Sequence, residues 1–113
     1  MIIEFDKIEE KANEKFNGGE GFFNARIYND GVNKVIMGRL EKNNSIGLHT
    51  HNGTSEIIYV ISGRGIMTTD GKEEILTAGM VTYCEMGHNH TFKNVDDEDL
   101  RFFAVIPNHK VQE

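Results

Sequence analysis

The sequence has one cysteine, one proline, no tryptophan and no long apolar run. The lone cysteine, Cys84, excludes a disulfide within the chain and fits a reducing compartment. No apolar run approaches the roughly 18–20 residues that a membrane span needs, and residues 1–16 lack the apolar core of a secretory signal. We therefore expect a cytoplasmic protein with no membrane partner.

Positive charge is also scarce. The chain has 12 Lys and Arg residues against 18 Asp and Glu residues, a net charge of -6, and no cluster of cations. Nucleic-acid binding depends on clustered cations that neutralise phosphates, so we expect no nucleic-acid partner. The length of 113 residues suits one compact domain with one core. We predict a single domain, 1–113, made of an N-terminal segment 1–18 and a β-barrel 20–107.

Short β-branched or aromatic runs, separated by Asn, Asp and Gly, fill most of the chain. Asn, Asp and Gly tolerate the positive φ that tight hairpins require. Runs that recur every 8–12 residues indicate an all-β sandwich or barrel. The predicted strands are residues 22–28, 32–41, 46–51, 55–61, 64–69, 73–77, 80–84, 90–94 and 100–106.

The patterns of two segments predict further features of the local structure. Residues 6–16 have apolar residues four positions apart, at Ile8, Ala12 and Phe16, with Asp6 as the N-cap candidate, a pattern that predicts a short amphipathic N-terminal helix. Residues 55–61 are apolar on both faces, which indicates a central strand covered on both sides. Glu56 has the parity of Ile58 and Val60, so its carboxylate should point to a buried face, where it is costly without a partner.

Three histidines are candidates to hold, together with Glu56, a metal ion that would pair with this carboxylate. His49 and His51 are two residues apart, and on a strand such residues project to one face. A four-residue connection can return the chain so that Glu56 points at the same place, and His90 opens a later strand. Three imidazoles and one carboxylate suit a divalent metal, whose charge would neutralise Glu56. The alternative is surface or hydrogen-bonded core histidines; the fixed offset of the carboxylate and the second histidine segment favour metal binding.

The same segments resemble the two motifs of the cupin family, written G-x5-H-x-H-x3-4-E-x6-G and G-x5-P-x-G-x2-H-x3-N. The positions that align with these motifs are Asn43, His49, His51, Glu56 and Gly63, followed by Gly79, Glu85, Gly87, His90 and Asn94. Asn43 and Glu85 replace a glycine and a proline of the family pattern. Asn also tolerates the left-handed region, so the first turn should keep its shape. Glu85 lacks the rigidity of the proline that it replaces in the second turn.

The resemblance implies a small single-domain cupin, a double-stranded β-helix or jelly-roll barrel. Carried over residue by residue, it implies that His49, His51, Glu56 and His90 bind a divalent metal such as Mn, Fe, Ni or Zn. It also implies a homodimer that pairs through outer strands and would cover the second apolar face of residues 55–61.

For function, the resemblance implies a divalent-metal-dependent enzyme that acts on a small organic substrate, with oxygenase or isomerase chemistry. The alternative is a non-catalytic module that binds or senses a small ligand such as a sugar or an organic acid. A purely structural cupin that binds nothing is disfavoured because all four ligand positions are occupied by suitable residues. Catalytic residues cannot be assigned from the sequence.

A few other polar residues have two interpretations. Arg26 and Tyr28 share one face of strand 22–28 and either bind an acid inside the barrel or face solvent, which we favour. His88 is either an additional ligand or proton carrier, or a turn residue that faces solvent, and we again favour solvent. His109 is expected to be incidental.

Overall fold

The computed structural model describes residues 1–110 of the chain, which form two antiparallel β-sheets. All nine predicted strands are present, and each end lies within one residue of its predicted position. The elements are 3-10 turns at Phe5–Lys7 and Phe16–Gly18, and strands β1 Lys11–Glu14, β2 Phe22–Asn29, β3 Asn33–Leu40, β4 Ser45–Thr50, β5 Glu56–Ser62, β6 Arg64–Thr69, β7 Lys72–Thr77, β8 Val81–Cys84, β9 Asn89–Asn94 and β10 Leu100–Pro107.

The two sheets face each other across one hydrophobic core. The larger has the strand order β1-β2-β3-β10-β5-β8, and the smaller has the order β4-β9-β6-β7. Side chains from both sheets alternate into the space between them, as expected for strands with one buried face. The core includes Phe23, Ile36, Leu40, Ile58, Val60, Met67, Phe92, Leu100 and Phe102. The predicted all-β, double-stranded β-helix architecture is confirmed.

The predicted helix over residues 6–16 is wrong. Within this segment, Lys11–Glu14 forms β1, which pairs antiparallel with β2 so that Lys11 lies opposite Ala25 and Glu14 lies opposite Phe22. An isolated helix of that length is marginal in water, whereas the edge of β2 offers a row of backbone partners. Within residues 1–110 the only helical elements are the two three-residue 3-10 turns, and none of them could cross a membrane.

Within residues 1–110, the strand β5 is covered on only one side. Glu56 begins β5 and is 7% exposed, so its predicted inward orientation is confirmed. On the opposite face, however, Ile57, Tyr59 and Ile61 remain 43%, 41% and 46% exposed. The prediction that this strand is covered on both sides is therefore wrong for the single chain.

Candidate metal centre

Three strands bring the four predicted residues together. His49 on β4 lies directly opposite His90 on β9 in the smaller sheet. Glu56 opens β5 in the facing sheet, and His51 follows the last residue of β4. One donor atom from each residue lies within 4.8 Å of the donor atoms of the other three, which makes a cluster able to hold a metal ion.

Local turns position the two histidine segments. Asn43 has φ 64° in the turn before β4, so asparagine does adopt the left-handed region where the family has glycine. Gly87 has φ 87° in the turn before β9. The backbone N–H of Gly87 donates to the His51 carbonyl at 2.8 Å, and the N–H of His51 donates to the His88 carbonyl at 3.0 Å. These two bonds hold the segments of the cluster side by side.

The donor atoms are spaced as the ligands of one ion would be. The Nε2 atom of His90 lies 2.9 Å from Nε2 of His51, 3.0 Å from Nε2 of His49 and 2.9 Å from Oε1 of Glu56. The same Glu56 oxygen lies 3.2 Å from Nε2 of His51 and 4.0 Å from Nε2 of His49. With metal–ligand bonds of about 2.1 Å, adjacent ligands of an octahedron lie about 3.0 Å apart. Four of the five distances are close to that value.

Hydrogen bonding within the cluster cannot satisfy all of these atoms. His90 Nε2 has three close neighbours but carries at most one hydrogen. His51, Glu56 and His90 are 5%, 7% and 2% exposed, so the cluster lies largely out of contact with bulk water. A cation at the centre would attract all four atoms at once, and the residues therefore fit a divalent metal.

Outer contacts orient two of the imidazoles. His49 Nδ1 lies 2.8 Å from the carbonyl oxygen of Gly47, which can only accept, so Nδ1 carries the hydrogen and Nε2 presents its lone pair. His51 Nδ1 lies 2.9 Å from Oγ1 of Thr54, a hydroxyl that can pair with either tautomer of the ring. Contacts of this kind fix the ring orientation of histidines that bind metals.

Charge states at the cluster also suit a metal. Burial raises the pKa of Glu56, but hydrogen bonds from His51 and His90 outweigh that effect and lower it to about 2. Burial lowers the pKa of His49 below its ordinary value of 6.5. At neutral pH the cluster therefore has an ionised carboxylate and a neutral His49, the protonation states that metal binding requires.

The two remaining histidines lie outside the cluster. His88 is exposed in the turn before β9, where its Nδ1 hydrogen-bonds to the Asp70 carboxylate, which raises its pKa. This agrees with the favoured interpretation of a residue that faces solvent. His109 has a partner that the sequence did not indicate, because its Nε2 lies 2.8 Å from Oγ of Ser55, beside Glu56.

Arg26 and Tyr28 point to the outer face of the larger sheet, away from the cluster. The Arg26 guanidinium donates to the carbonyl oxygens of Phe5 and Ile8, and Tyr28 has the same parity on β2. Arg26 thus tethers the N-terminal segment to the barrel. The interpretation in which these residues bind an acid inside the barrel is not supported.

A cavity of about 480 Å³ opens beside His49 and His51. Its walls are the ends of β2, β3, β4 and β10 together with the turn Phe16–Gly18. This turn lies so close to β4 that a Cβ atom at Gly47 would be 2.1 Å from the Asn17 carbonyl oxygen. Sequence reasoning missed two polar residues of the wall, Thr54 and Lys34.

Comparison with known proteins agrees with this geometry. The residue pattern of the cupin domain family matches residues 36–106. A Thermotoga maritima protein named oxalate-binding protein is 28% identical over 112 residues, which cover 94% of this chain and 93% of that protein. The crystal structure of a predicted oxalate decarboxylase from Thermotoga maritima matches with a TM-score of 0.89 and 27% identity, over 96% of this chain and 99% of the other.

A more distant structure shares the fold alone. A sugar phosphate isomerase of the cupin superfamily from Silicibacter pomeroyi matches with a TM-score of 0.78 and 20% identity, over 95% of this chain and 75% of its own. The span that matches the family, residues 36–106, is more than half of this chain and contains all four donor residues and the strands that hold them. The chain therefore belongs to the cupin family.

Proposed function

We propose that the protein binds the anion of a small organic acid at a divalent metal held by His49, His51, Glu56 and His90. The observation that carries this proposal is the convergence of three imidazole nitrogens and one carboxylate oxygen beside a cavity. Four protein donors leave room in a six-coordinate shell for oxygen atoms of a ligand. A bound ion would supply Lewis-acid attraction for those oxygens. Mn, Fe, Ni and Zn all accept this donor set, and His49 would present the ion at the edge of the cavity.

Two findings support an organic acid as the ligand. The cavity wall contains no aspartate or glutamate within residues 1–110, although the chain has 18 acidic residues. In addition, the relative from Thermotoga maritima, similar over nearly its whole length, is named for oxalate binding. Oxalate is therefore the first ligand to test.

The proposal favours binding over turnover. In the described part of the cavity wall, Lys34 is the one titratable side chain outside the proposed metal ligands. A metal-dependent enzyme of the oxygenase or isomerase class is the second candidate, and the room left in the coordination shell favours it.

Calorimetry of the protein loaded with Mn²⁺ tests the proposal. Oxalate should bind to the loaded protein but not to the metal-free protein or to a Glu56→Ala variant. Glu74→Ala, which removes an exposed carboxylate on β7, should behave as the parent. Equal oxalate binding with and without metal would overturn the proposal, and release of products from the bound acid, measured in parallel, would favour the enzyme.

We also propose that the protein is a cytoplasmic homodimer that pairs through the outer face of the larger sheet. The exposed apolar side chains there include Ile57 and Tyr59 on β5 and Val81 and Tyr83 on β8. A contiguous exposed apolar patch is typical of an interaction surface. Light scattering at micromolar concentration should give the mass of two chains, and Tyr59→Glu should shift it to one. A parent protein with the mass of one chain would contradict this expectation.

The single domain 1–113, with a barrel over 20–107, also remains a proposal. One cooperative unfolding transition seen by fluorescence and by circular dichroism would support it.

A further inference from the structure

Lys34 is an exposed residue in the wall of the cavity beside the cluster. It is the second residue of β3 and lies opposite Asn29 of β2 and Ile106 of β10. Because alternate residues of a strand share a face, Lys34 lies on the inner face with the buried side chains of Ile36 and Leu40. It contributes to the wall of the same cavity as His49 and His51.

The charge of Lys34 is not compensated by the part of the chain that the structure describes. No carboxylate of residues 1–110 forms an ion pair with it, whereas Arg39 pairs with Glu10, Glu41 and Asp99. The described cavity wall also has no acidic residue. A chain with a net charge of -6 thus has, in the wall of the cavity beside its proposed metal site, a lysine with no carboxylate partner among residues 1–110.

The cavity also has more polar groups and more space than oxalate requires. Asn17 and Asn33 contribute to the wall, and their side-chain amides form no hydrogen bond with other described residues. The volume of about 480 Å³ lies in the range of pockets that hold ligands much larger than oxalate. Amide groups there can bind a hydroxyl or keto oxygen.

We propose that Lys34 determines specificity by binding the distal carboxylate of a dicarboxylic acid longer than oxalate. The near carboxylate of this ligand would lie at the cluster of His49, His51, Glu56 and His90. The inference rests on the proposed function, because it assumes that an acid binds at the metal. It adds the class of acid and the residue that selects it.

Calorimetry on protein loaded with Mn²⁺ tests the inference with succinate and butyrate, which have the same carbon count but differ by one carboxylate. Lys34→Gln should weaken succinate binding about tenfold or more, the usual effect of losing one charge-assisted hydrogen bond. Butyrate binding should not change, and Lys34→Arg should retain succinate binding. Lys93→Gln, which removes a positive charge from the exposed face of β9, should behave as the parent with both acids.

The outcomes separate this inference from the proposed function. A parent protein that binds Mn²⁺ but neither oxalate, succinate nor butyrate would overturn both. A parent that binds succinate and butyrate equally, with no effect of Lys34→Gln, would overturn the inference and leave the proposed function standing. Weaker Mn²⁺ binding by Lys34→Gln itself would also overturn it, because Lys34 would then support the metal cluster rather than select the ligand.

Discussion

Replacing Glu56 with glutamine is the sharpest test of the metal centre. The substitution keeps the shape of a side chain that is 7% exposed and removes only its charge. Glu56 Oε1 lies 2.9 Å from His90 Nε2 and 3.2 Å from His51 Nε2. If these atoms are arranged around a cation, Glu56→Gln should remove most of the stabilisation by metal, in addition to any weakening of the fold itself.

The expected effect on thermal stability can be estimated. A metal present at 100 times its Kd adds about 2.7 kcal/mol to the free energy of unfolding, which raises the Tm of a domain of this size by about 10 °C. Loss of one charged ligand should raise Kd about 100-fold. The same metal concentration then adds only about 0.4 kcal/mol, or about 2 °C.

The metal-free protein should also lose stability. Interactions with His51 and His90 lower the pKa of Glu56 from 4.5 to about 2, a difference that corresponds to about 3 kcal/mol in favour of the ionised form. Glutamine keeps part of the hydrogen bonding, so the metal-free Tm should fall by up to about 12 °C.

Thermal unfolding with and without Mn²⁺ at pH 7.5 separates these two effects, because each protein is compared with its own metal-free form. Glu74→Gln is the matched control, since it removes an exposed carboxylate on β7. A Glu56→Gln variant that keeps the full increment from metal would refute the reasoning, because the ion would then bind elsewhere.

Three further predictions concern the surroundings of the cluster. Thr54→Val should weaken Mn²⁺ binding in calorimetry about 10- to 100-fold, because the His51 imidazole loses the partner that orients it. Thr54→Ser keeps the hydroxyl and should bind Mn²⁺ like the parent. Equal Mn²⁺ affinity of the two variants would contradict this role. Because burial lowers the pKa of His49, the unfolded chain binds more protons at this residue than the folded chain does. In the metal-free protein, the stability that His49 contributes is therefore present above pH 6.5 and is lost as the pH falls below that value. Urea unfolding at pH 7.5 and 5.5 should therefore show that acidification lowers the free energy of unfolding less in His49→Gln than in the parent. His88, whose pKa is raised, contributes with the opposite sign, but it is present in both proteins and cancels in the comparison. An equal loss in both proteins would refute this sign. Finally, Ser55→Ala and His109→Ala should each lower the free energy of unfolding by about 1 kcal/mol, and the double variant should lose no more than about that amount if the two act as one pair.

The barrel strands were predictable because their signals are local. Alternating apolar residues and Asn, Asp or Gly at the breaks placed all nine within one residue of their observed ends. Asn43, at φ 64°, shows why the first turn keeps its shape without the glycine of the family pattern. The inward orientation of Glu56 also followed from parity alone.

The errors arose where a distant partner decides the structure. Residues 6–16 have a helical spacing of apolar residues, but residues 11–14 within them pair with β2, which the local pattern does not reveal. The apolar outer face of β5 was expected to be covered, yet the single chain leaves it exposed. The sequence did not establish which face of strand 32–41 points inward, and the importance of Lys34 depends on the cavity, which forms only when β3 approaches the end of β4.

Most of the cavity wall comes from parts of the chain that hold none of the proposed metal ligands. The four donors lie on β4, β5 and β9 or next to them, within the two family motifs, whereas much of the wall comes from β2, β3, β10 and the turn Phe16–Gly18. Substitutions in the wall can therefore change the ligand without moving a donor atom. Such a separation is one way in which a single fold can carry different binding sites. We therefore expect two different effects: Lys34 variants should alter which acid is bound, and Glu56 variants should alter the affinity for metal.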